Sequence, residues 1–192
     1  KNLLDLSIGT SLLSLKRWRE MFKNFILVKD NVFSEDECKS IINTYSKNCK
    51  KPEKDYLGYA FFDIEQFKYI SRFSKIVDEY TKIFKGINMT SSKWKLGDFR
   101  FKHFKPGKHF AGWHSEHCLS YLNRILSIQI YLSNHNCGTE FLHYKTIKSK
   151  IGAVALFPSY FTHTHRGQVC PDNKDRYLIT AYLNFYEKGI YE

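Results

Sequence analysis

The sequence contains no uninterrupted apolar run of the roughly 18–20 residues that a membrane-spanning helix requires. It also lacks a Cys-x-x-Cys pair and a His-Glu-x-x-His motif. The first absence predicts a protein without a transmembrane helix. The other two argue against a structural zinc site and a zinc hydrolase, respectively. No internal repeat, low-complexity tract or linker interrupts the chain, which predicts a single domain over residues 1–192.

The cysteines are odd in number and widely spaced: Cys38, Cys49, Cys118, Cys137 and Cys170. This pattern favours reduced thiols over a disulfide framework. Reduced thiols, together with the lack of a recognisable signal sequence, predict a cytoplasmic protein. The chain begins at Lys1 rather than at a methionine, so the sequence leaves open whether a targeting signal precedes it.

Basic residues outnumber acidic ones by 30 to 19, and the formal net charge is +11. Such a charge favours acidic partners, among them nucleic acid or an acidic co-substrate. The basic residues are scattered along the chain, and they cluster only locally, for example at Lys47, Lys50, Lys51 and Lys54. Scatter of this kind is typical of ordinary solvated surface, so nucleic acid is an open but not a favoured partner.

The first 86 residues predict a helix-rich support region with short strands. Residues 12–23 have the pattern of an amphipathic helix, and Phe25 to Val28 reads as a strand. Ser34-Glu35-Asp36-Glu37 forms a capping box that starts a helix, whose apolar residues recur at helical spacing through Tyr45. Tyr56 to Phe62 predicts another strand. Ser71 to Phe84 predicts a further helix, which Gly86 ends.

Residues 87–192 predict a β-rich core. Six segments there are rich in β-branched and aromatic residues and are separated by Gly, Asn or Pro: Trp94–His103, Phe110–Glu116, Ile125–Leu132, Thr139–His143, Ala153–Phe157 and Tyr177–Phe185. Short strands at regular spacing favour a barrel or sandwich. We expect the N-terminal helices to cover one outer face of its sheet.

The chemistry of the chain is concentrated in Trp113-His114-Ser115-Glu116. If this segment is extended, His114 and Glu116 point to the same face and reach one metal ion from one side. A third ligand must come from elsewhere, and both His163 and His165 are candidates. The shorter spacing to Arg176 and the following Arg-Gly favour His165, with His163 as the alternative. Two histidines and one carboxylate form the metal site of mononuclear non-haem Fe(II) oxygenases.

Taken together, these segments resemble the Fe(II)/2-oxoglutarate-dependent dioxygenase superfamily, and within it the prolyl 4-hydroxylase-like branch. Five stretches carry the resemblance besides the entry at Phe25 to Tyr45: Phe104-Lys105-Pro106-Gly107 ahead of His114-x-Glu116, Arg124 to Leu132, Gly138 to Phe141, Phe157 to Gly167, and Arg176 to Thr180. The resemblance implies a mainly β fold with supporting helices. Its core would be a double-stranded β-helix of the jelly-roll or cupin-like type, packed against N-terminal α-helices.

The resemblance also implies roles for individual residues. His114, Glu116 and His165 would hold the iron, although the family usually has Asp where this chain has Glu116. Arg176 would pair with the far carboxylate of 2-oxoglutarate, because a guanidinium presents two parallel donors to a carboxylate. Tyr131 would donate a hydrogen bond to the same carboxylate. Arg124 would lie on the substrate-facing side.

The implied activity is hydroxylation of a substrate C–H bond with Fe(II), 2-oxoglutarate and O2, with ascorbate in support, and with release of succinate and CO2. The branch favours a prolyl residue in a protein or peptide. A nucleic-acid or small-molecule substrate is an alternative, but nucleic-acid demethylases carry a second arginine where this chain has Tyr182. A rival from another class is a cupin-like metal-binding protein without turnover. Lys50 to Tyr69 is either a lid over the site or ordinary packing; the oligomeric state is not predicted.

Overall fold

A computed structural model of the chain describes residues 24–51, 58–90 and 93–185. The predicted helix over 12–23 lies outside these residues, as does the start of the strand predicted from Tyr56. No helix of the described residues is both long and apolar enough to cross a membrane.

The first helix, α1 (Glu35–Tyr45), begins where the capping box predicts. Ser34 Oγ accepts a hydrogen bond from the backbone N–H of Glu37, and the Glu37 carboxylate accepts one from the backbone N–H of Ser34. This reciprocal pair satisfies donors that a helix start otherwise leaves open. Two residues of the predicted apolar stripe, Cys38 and Ile41, are buried. A 3-10 turn, Ser46–Asn48, follows the helix.

The second helix, α2 (Ile70–Ile83), buries the predicted aromatic and aliphatic face. Its buried members are Phe73, Ile76, Val77 and Tyr80. The prediction that Gly86 ends this helix is wrong. The chain leaves the α-helix at Phe84, whose N–H still bonds the carbonyl of Tyr80, and Gly86 lies inside a 3-10 turn, Lys85–Met89. Phe84 has a non-helical backbone conformation, with φ −110° and ψ 67°, and its ring packs on Tyr80 with ring centroids 4.7 Å apart.

Within residues 24–51, 58–90 and 93–185, nine strands form two antiparallel sheets. Their bounds are β1 (Leu27–Lys29), β2 (Ala60–Ile64), β3 (Trp94–Phe104), β4 (Arg124–Tyr131), β5 (Gly138–Phe141), β6 (Ile147–Lys148), β7 (Val154–Pro158), β8 (His165–Gly167) and β9 (Arg176–Phe185). The large sheet has the order β1-β7-β4-β9-β3-β2, and the small sheet has the order β6-β5-β8. The N-terminal region therefore supplies both edge strands of the large sheet as well as the helices.

The central strands β4 and β9 divide their side chains between two faces with a period of two. On β4, Ile128 and Ile130 join the core cluster that also holds the buried faces of α1 and α2. Gln129 and Tyr131 point the other way and line a large pocket. Strand β9 does the same, with Ile179 in the core and Arg176 in the pocket. The helices thus cover one face of the sheet, as predicted, and the opposite face carries the polar residues.

A second apolar cluster joins the two sheets. Phe141 and Ile147 of the small sheet pack with Ala155 and Phe157 of β7. The rings of Phe141 and Phe157 meet edge to face, with centroids 4.9 Å apart. This contact fixes the small sheet, and with it β8, against one end of the large sheet.

The prediction of a strand over Phe110–Glu116 is wrong. The segment makes a single β-bridge, between His114 and His165. A further backbone bond joins it to the same strand, β8, where Gly167 N donates to Phe110 O; just beyond the segment, His117 N donates to Ser159 O. The two contacts with β8 are four positions apart on the segment but two positions apart on β8, so no continuous ladder forms. The short strands β6 and β8 were not predicted.

The prediction that all five cysteines are reduced thiols is also wrong. Cys137 and Cys170 form a disulfide, with Cα atoms 5.0 Å apart and 33 positions between them in the sequence. Cysteine number and spacing do not report which residues the fold brings together, because the loop after β4 and the loop before β9 meet only in the tertiary structure. Cys38, Cys49 and Cys118 are free.

Candidate active site

Three potential metal ligands, His114, Glu116 and His165, converge at one end of the pocket. One ligand atom from each lies within 4.8 Å of the other two. His114 Nε2 lies 3.5 Å from Glu116 Oε1, and His165 Nε2 lies 3.9 Å from the same oxygen. The paired backbone bonds of the His114–His165 bridge, at 3.0 and 2.9 Å, hold the two histidines side by side. The structure therefore brings together residues that are 51 positions apart in the sequence.

Both imidazoles are oriented by backbone carbonyl groups. His114 Nδ1 lies 2.9 Å from Gly112 O, and His165 Nδ1 lies 2.9 Å from His163 O. A carbonyl oxygen only accepts, so each Nδ1 must carry the proton and donate. In a neutral imidazole this leaves the Nε2 lone pair directed at the cluster, which is the form that binds a metal ion.

The electrostatics of the cluster favour deprotonated ligands. Burial by itself raises the pKa of the Glu116 carboxyl, but the His114 imidazole and the positive charge of Lys102 outweigh it and hold that pKa well below its usual range. Burial, reinforced by the neighbouring His114, lowers the pKa of His165 to about 4. At neutral pH the site thus offers an ionised carboxylate and a neutral His165.

The second oxygen of Glu116 is held by Arg124. Arg124 Nη1 donates to Glu116 Oε2 at 3.0 Å, and its guanidinium lies between two tyrosine rings, 3.6 Å from the centroid of Tyr121 and 3.5 Å from that of Tyr182. Its side chain is 9% exposed. Arg124 does line the pocket, but it faces the predicted metal ligand; a substrate contact for this residue remains a prediction.

Arg176 lies in the same pocket as a buried cation. It is 3% exposed, and its Nη1 contacts Cys137 Sγ at 3.1 Å and the carbonyl of Gln168 at 3.4 Å. Its Nε has no hydrogen-bond partner, and among the described residues no carboxylate pairs with it. Burial lowers the pKa of Arg176, although arginine stays charged at any physiological pH. A buried charge normally has a partner, so this guanidinium is suited to an anionic ligand.

Tyr131 is buried beside this cation. Its hydroxyl bonds Gln129 Oε1 at 3.0 Å and Thr139 Oγ1 at 2.8 Å, and Thr139 also donates to Gln129. Burial raises the pKa of Tyr131 above its ordinary value, so the phenol is neutral and keeps a proton to donate. The group lines the part of the pocket that Arg176 also lines.

His163 lies away from the cluster. Its Nε2 bonds the carbonyl of Asn24 at 2.7 Å, and its ring stacks on Tyr144, with centroids 4.8 Å apart. The sequence suggested that His163 and His165 share a face if the segment is extended. A 3-10 turn, Phe161–His163, breaks that alternation. His163 does contribute its backbone carbonyl, which orients His165.

Several residues of the pocket were not singled out from the sequence. Gln129, Thr139, Thr180 and Lys102 all line it. Gln129 and Thr180 are polar residues in largely apolar central strands, at positions that face the pocket. Because side chains alternate between the two faces of a strand, these positions could have been identified from the sequence. Lys102 gave a similar signal, because it lies one position from Phe101 on β3 and therefore faces away from the core that Phe101 joins.

The pocket has a volume of about 1130 Å³, and its lining includes residues of β2, β3 and the segment that carries Glu116. The described part of the Lys50–Tyr69 stretch forms one wall of it rather than a free flap. Ala60–Ile64 pairs with β3, and the backbone of Lys50 bridges Phe61. Tyr59 packs on Phe104 and Phe110, which makes the inner wall aromatic. Residues 52–57 of this stretch lie outside the described residues.

No protein-family model and no curated protein matches this chain. Solved structures do, and they define the class of fold: the double-stranded β-helix of prolyl hydroxylases and related 2-oxoglutarate oxygenases. A viral collagen prolyl hydroxylase of Paramecium bursaria Chlorella virus-1, in complex with 2-oxoglutarate, aligns with a TM-score of 0.67 and 18% identity, covering 84% of this chain and 97% of that one.

Two further prolyl hydroxylases align over similar lengths. The prolyl-4-hydroxylase of Pseudomonas putida has a TM-score of 0.62 and 13% identity, covering 88% of this chain and 97% of that one. A prolyl hydroxylase of Trichoplax adhaerens, in complex with a peptide fragment of the hypoxia-inducible factor oxygen degradation domain, has a TM-score of 0.61 and 15% identity, covering 92% and 94%. These likenesses confirm the predicted fold class and, at the level of fold, the resemblance found in the sequence.

Proposed function

We propose that this protein is an Fe(II)- and 2-oxoglutarate-dependent oxygenase that hydroxylates a prolyl residue in a protein or peptide. One observation carries the proposal. A cluster of two imidazoles and one carboxylate shares a pocket with Arg176, a buried cation that pairs with no carboxylate among the described residues. A metal-binding protein without turnover needs the cluster but has no use for the cation.

The ligand set fits a first-row metal ion. His114 Nε2, His165 Nε2 and Glu116 Oε1 would hold it, because each Nδ1 is occupied by a carbonyl and Glu116 Oε2 by Arg124. Ligands on neighbouring positions of one such ion lie roughly 3 Å apart. The observed separations of 3.5 and 3.9 Å need only small side-chain rotations to reach that value. Three protein ligands on one side leave the remaining positions for co-substrate and O2.

When bound, Fe(II) and 2-oxoglutarate supply the oxidising chemistry that inserts one oxygen atom of O2 into a C–H bond, with succinate and CO2 as co-products. The protein's part is to bind and orient. Arg176 offers two parallel donors to the distal carboxylate of the co-substrate, which fixes both its charge and its direction. Tyr131 can donate to the same carboxylate. When its hydroxyl turns away from Gln129, Gln129 Oε1 still accepts a hydrogen bond from the hydroxyl of Thr139.

The walls of the pocket keep water from the reacting atoms. Tyr59, Phe104 and Leu178 form an apolar cluster, against which Phe110 packs. Phe110 meets the ring of His114 edge to face, with centroids 4.4 Å apart. Such a wall lowers the local dielectric and strengthens the charge interactions at the site.

The choice of a prolyl substrate is supported by the fold. The structures that align over most of the chain include prolyl hydroxylases, and one of them holds a peptide. Arg166 lines the pocket and lies over the exposed ring of Trp113, with its guanidinium carbon 4.5 Å from the indole centroid; such a pair suits an extended polypeptide.

The direct test is an anaerobic titration with Fe(II) and 2-oxoglutarate. We expect a weak visible metal-to-ligand charge-transfer band that is absent in His114→Ala. Under O2, proline-containing peptides should gain one oxygen atom by mass spectrometry, with an equal amount of succinate. Binding of Fe(II) without the band and without succinate from any peptide would favour a metal-binding protein without turnover. The band with succinate but no prolyl product would keep the oxygenase and overturn the substrate.

A further inference from the structure

A second group of metal-ligating side chains lies beside the Cys137–Cys170 disulfide. His135, Cys170 and Asp172 each place one ligand atom within 4.8 Å of the other two. His135 follows β4, whereas Cys170 and Asp172 precede β9, so two loops at one end of the large sheet converge here. In the disulfide, the sulfur of Cys170 is bonded to Cys137 and is not a thiolate.

His135 is directed into this group and lacks a hydrogen bond there. Its side chain is fully buried, and within the described part of the chain its Nδ1 has no hydrogen-bond partner. That nitrogen lies 3.3 Å from Asp172 Oδ2. Two ligands bound at about 2.0–2.2 Å to one tetrahedral ion lie roughly 3.3–3.6 Å apart. The imidazole and the carboxylate therefore already have the separation of two ligands on one metal ion.

Both of these ligands are oriented by neighbouring groups. Asp172 Oδ2 accepts from the backbone N–H of Asn136 at 2.6 Å, and Asp172 Oδ1 accepts from the side-chain amide of Asn136 at 2.8 Å. His135 Nε2 lies 3.1 Å from Ser133 Oγ, and the His135 backbone N–H donates to Ser149 O. Burial lowers the pKa of His135, which keeps the imidazole neutral, the form that binds a metal ion. Hydrogen bonds that orient the ligand side chains in this way are typical of metal-binding sites.

We propose that opening the Cys137–Cys170 disulfide creates a binding site for a zinc-class divalent ion, held by His135 Nδ1, Cys170 Sγ and the Asp172 carboxylate. The reductant is a dithiol. The S–S bond accepts two electrons and two protons and gives two thiols, while the dithiol closes to its own cyclic disulfide. Metal binding then displaces the Cys170 thiol proton to solvent. Water fills the fourth position.

The donor set selects the class of ion. One imidazole, one thiolate and one carboxylate suit a borderline-soft ion such as Zn²⁺, whereas Mg²⁺ and Ca²⁺ take oxygen ligands. The thiolate also distinguishes this site from the His114–Glu116–His165 cluster, which contains no sulfur. The proposal is independent of the proposed oxygenase activity.

The test uses Co²⁺ as a spectroscopic probe for Zn²⁺ and two matched variants under anaerobic conditions. Cys137→Ser removes the disulfide and leaves Cys170 as a free thiol, so it should bind Co²⁺ without any reductant and show a sulfur-to-cobalt charge-transfer band. Cys170→Ser also removes the disulfide but takes the ligand sulfur with it, so it should show no such band. Both variants keep Cys38, Cys49 and Cys118 and the first cluster, so these cannot account for a difference.

Competition with a chelator then measures affinity. Loss of a group that only orients a ligand weakens metal binding by roughly 10–100-fold. Asp172→Asn removes a ligand itself, so in the Cys137→Ser background it should weaken Co²⁺ binding by at least about tenfold. The oxidised wild-type protein should show no charge-transfer band. The proposal is overturned if Cys137→Ser, shown to be folded by circular dichroism, gives no band, or if Cys170→Ser gives the same band.

Discussion

Arg124 Nη1 lies 3.0 Å from Glu116 Oε2, and the two side chains share the wall of the pocket at 9% and 12% exposure. The arginine is fixed between Tyr121 and Tyr182, so it holds the carboxylate in one orientation. This arrangement leaves Oε1 as the oxygen that faces both histidines. The Tyr182 ring covers the Arg124 guanidinium, with its centroid 3.5 Å from the guanidinium carbon.

We therefore expect Arg124→Met to weaken metal binding. Without the guanidinium, the Glu116 carboxylate can rotate, and the loss of such an orienting contact costs roughly 10–100-fold in metal affinity. Anaerobic titration with Fe(II) or Co²⁺ measures the effect. Arg100→Met is the matched control, because Arg100 pairs with Asp63 at the side of the pocket instead. Equal metal affinity in the two variants would show that Arg124 does not position the ligand.

Arg176→Met should change stability and co-substrate binding in opposite directions. A charge-assisted contact contributes about 1.5–3 kcal/mol, so 2-oxoglutarate should bind roughly 10–150-fold more weakly. The ligand-free variant should melt at the same temperature as the wild type or higher, because the change removes a buried cation that no carboxylate of the described residues pairs with. Thermal unfolding with and without 2-oxoglutarate checks both effects. A lower melting temperature with unchanged 2-oxoglutarate affinity would assign Arg176 a purely structural role.

The pair of Glu37 and Arg72 should make stability depend on pH in the acid range. Arg72 donates to both oxygens of Glu37, at 2.6 and 2.9 Å, and this pairing, helped by the Ser34 backbone N–H, lowers the pKa of Glu37 from 4.5 to about 2. A carboxyl with a lowered pKa in the folded state stabilises the protein above pH 4.5, and the contribution is lost as the pH falls to about 2. Solvent screening limits it to about 1 kcal/mol.

The measurement is the free energy of unfolding in urea between pH 7 and pH 2. Glu37→Gln should be less stable than the wild type at pH 7, and the difference should vanish near pH 2. Glu35→Gln, an exposed change in the same helical turn, serves as the control and should show little difference at any pH. A difference that persists at pH 2 would indicate that Glu37 stabilises the helix through its cap alone.

Gly138→Ala should be strongly destabilising, because the backbone of the neighbouring strand β6 lies against Gly138. A methyl group on Gly138 would meet the carbonyl oxygen and carbon of Ile147, which are backbone atoms and cannot rotate away. Overpacking of this kind costs roughly 1–3 kcal/mol. Gly97→Ala has open space around the new methyl group and is the matched control. Urea unfolding of the two variants measures the difference; similar stabilities would mean that the two strands separate easily.

The helices and central strands were predictable because their signals are local. The capping box at Ser34 involves atoms three residues apart, and the stripe of α2 repeats every turn. Strand β9 alternates between core and pocket over its whole length, and a period of two is visible in the sequence. Segments without a period were predicted less well. Phe110–Glu116 has the composition of a strand, but it bonds β8 at two separate points instead of along a continuous ladder.

The sequence by itself determined the residue types of the site, the spacing of His114 and Glu116, and the alternation that puts Arg176 and Tyr131 on one face of the sheet. The tertiary structure decided what these residues meet. Only the fold brings His165 and not His163 to Glu116, aims Arg124 at Glu116, and joins Cys137 to Cys170. The reason is that such contacts depend on how sheets and loops pack across long separations in the chain, whereas propensity and periodicity act only between near neighbours.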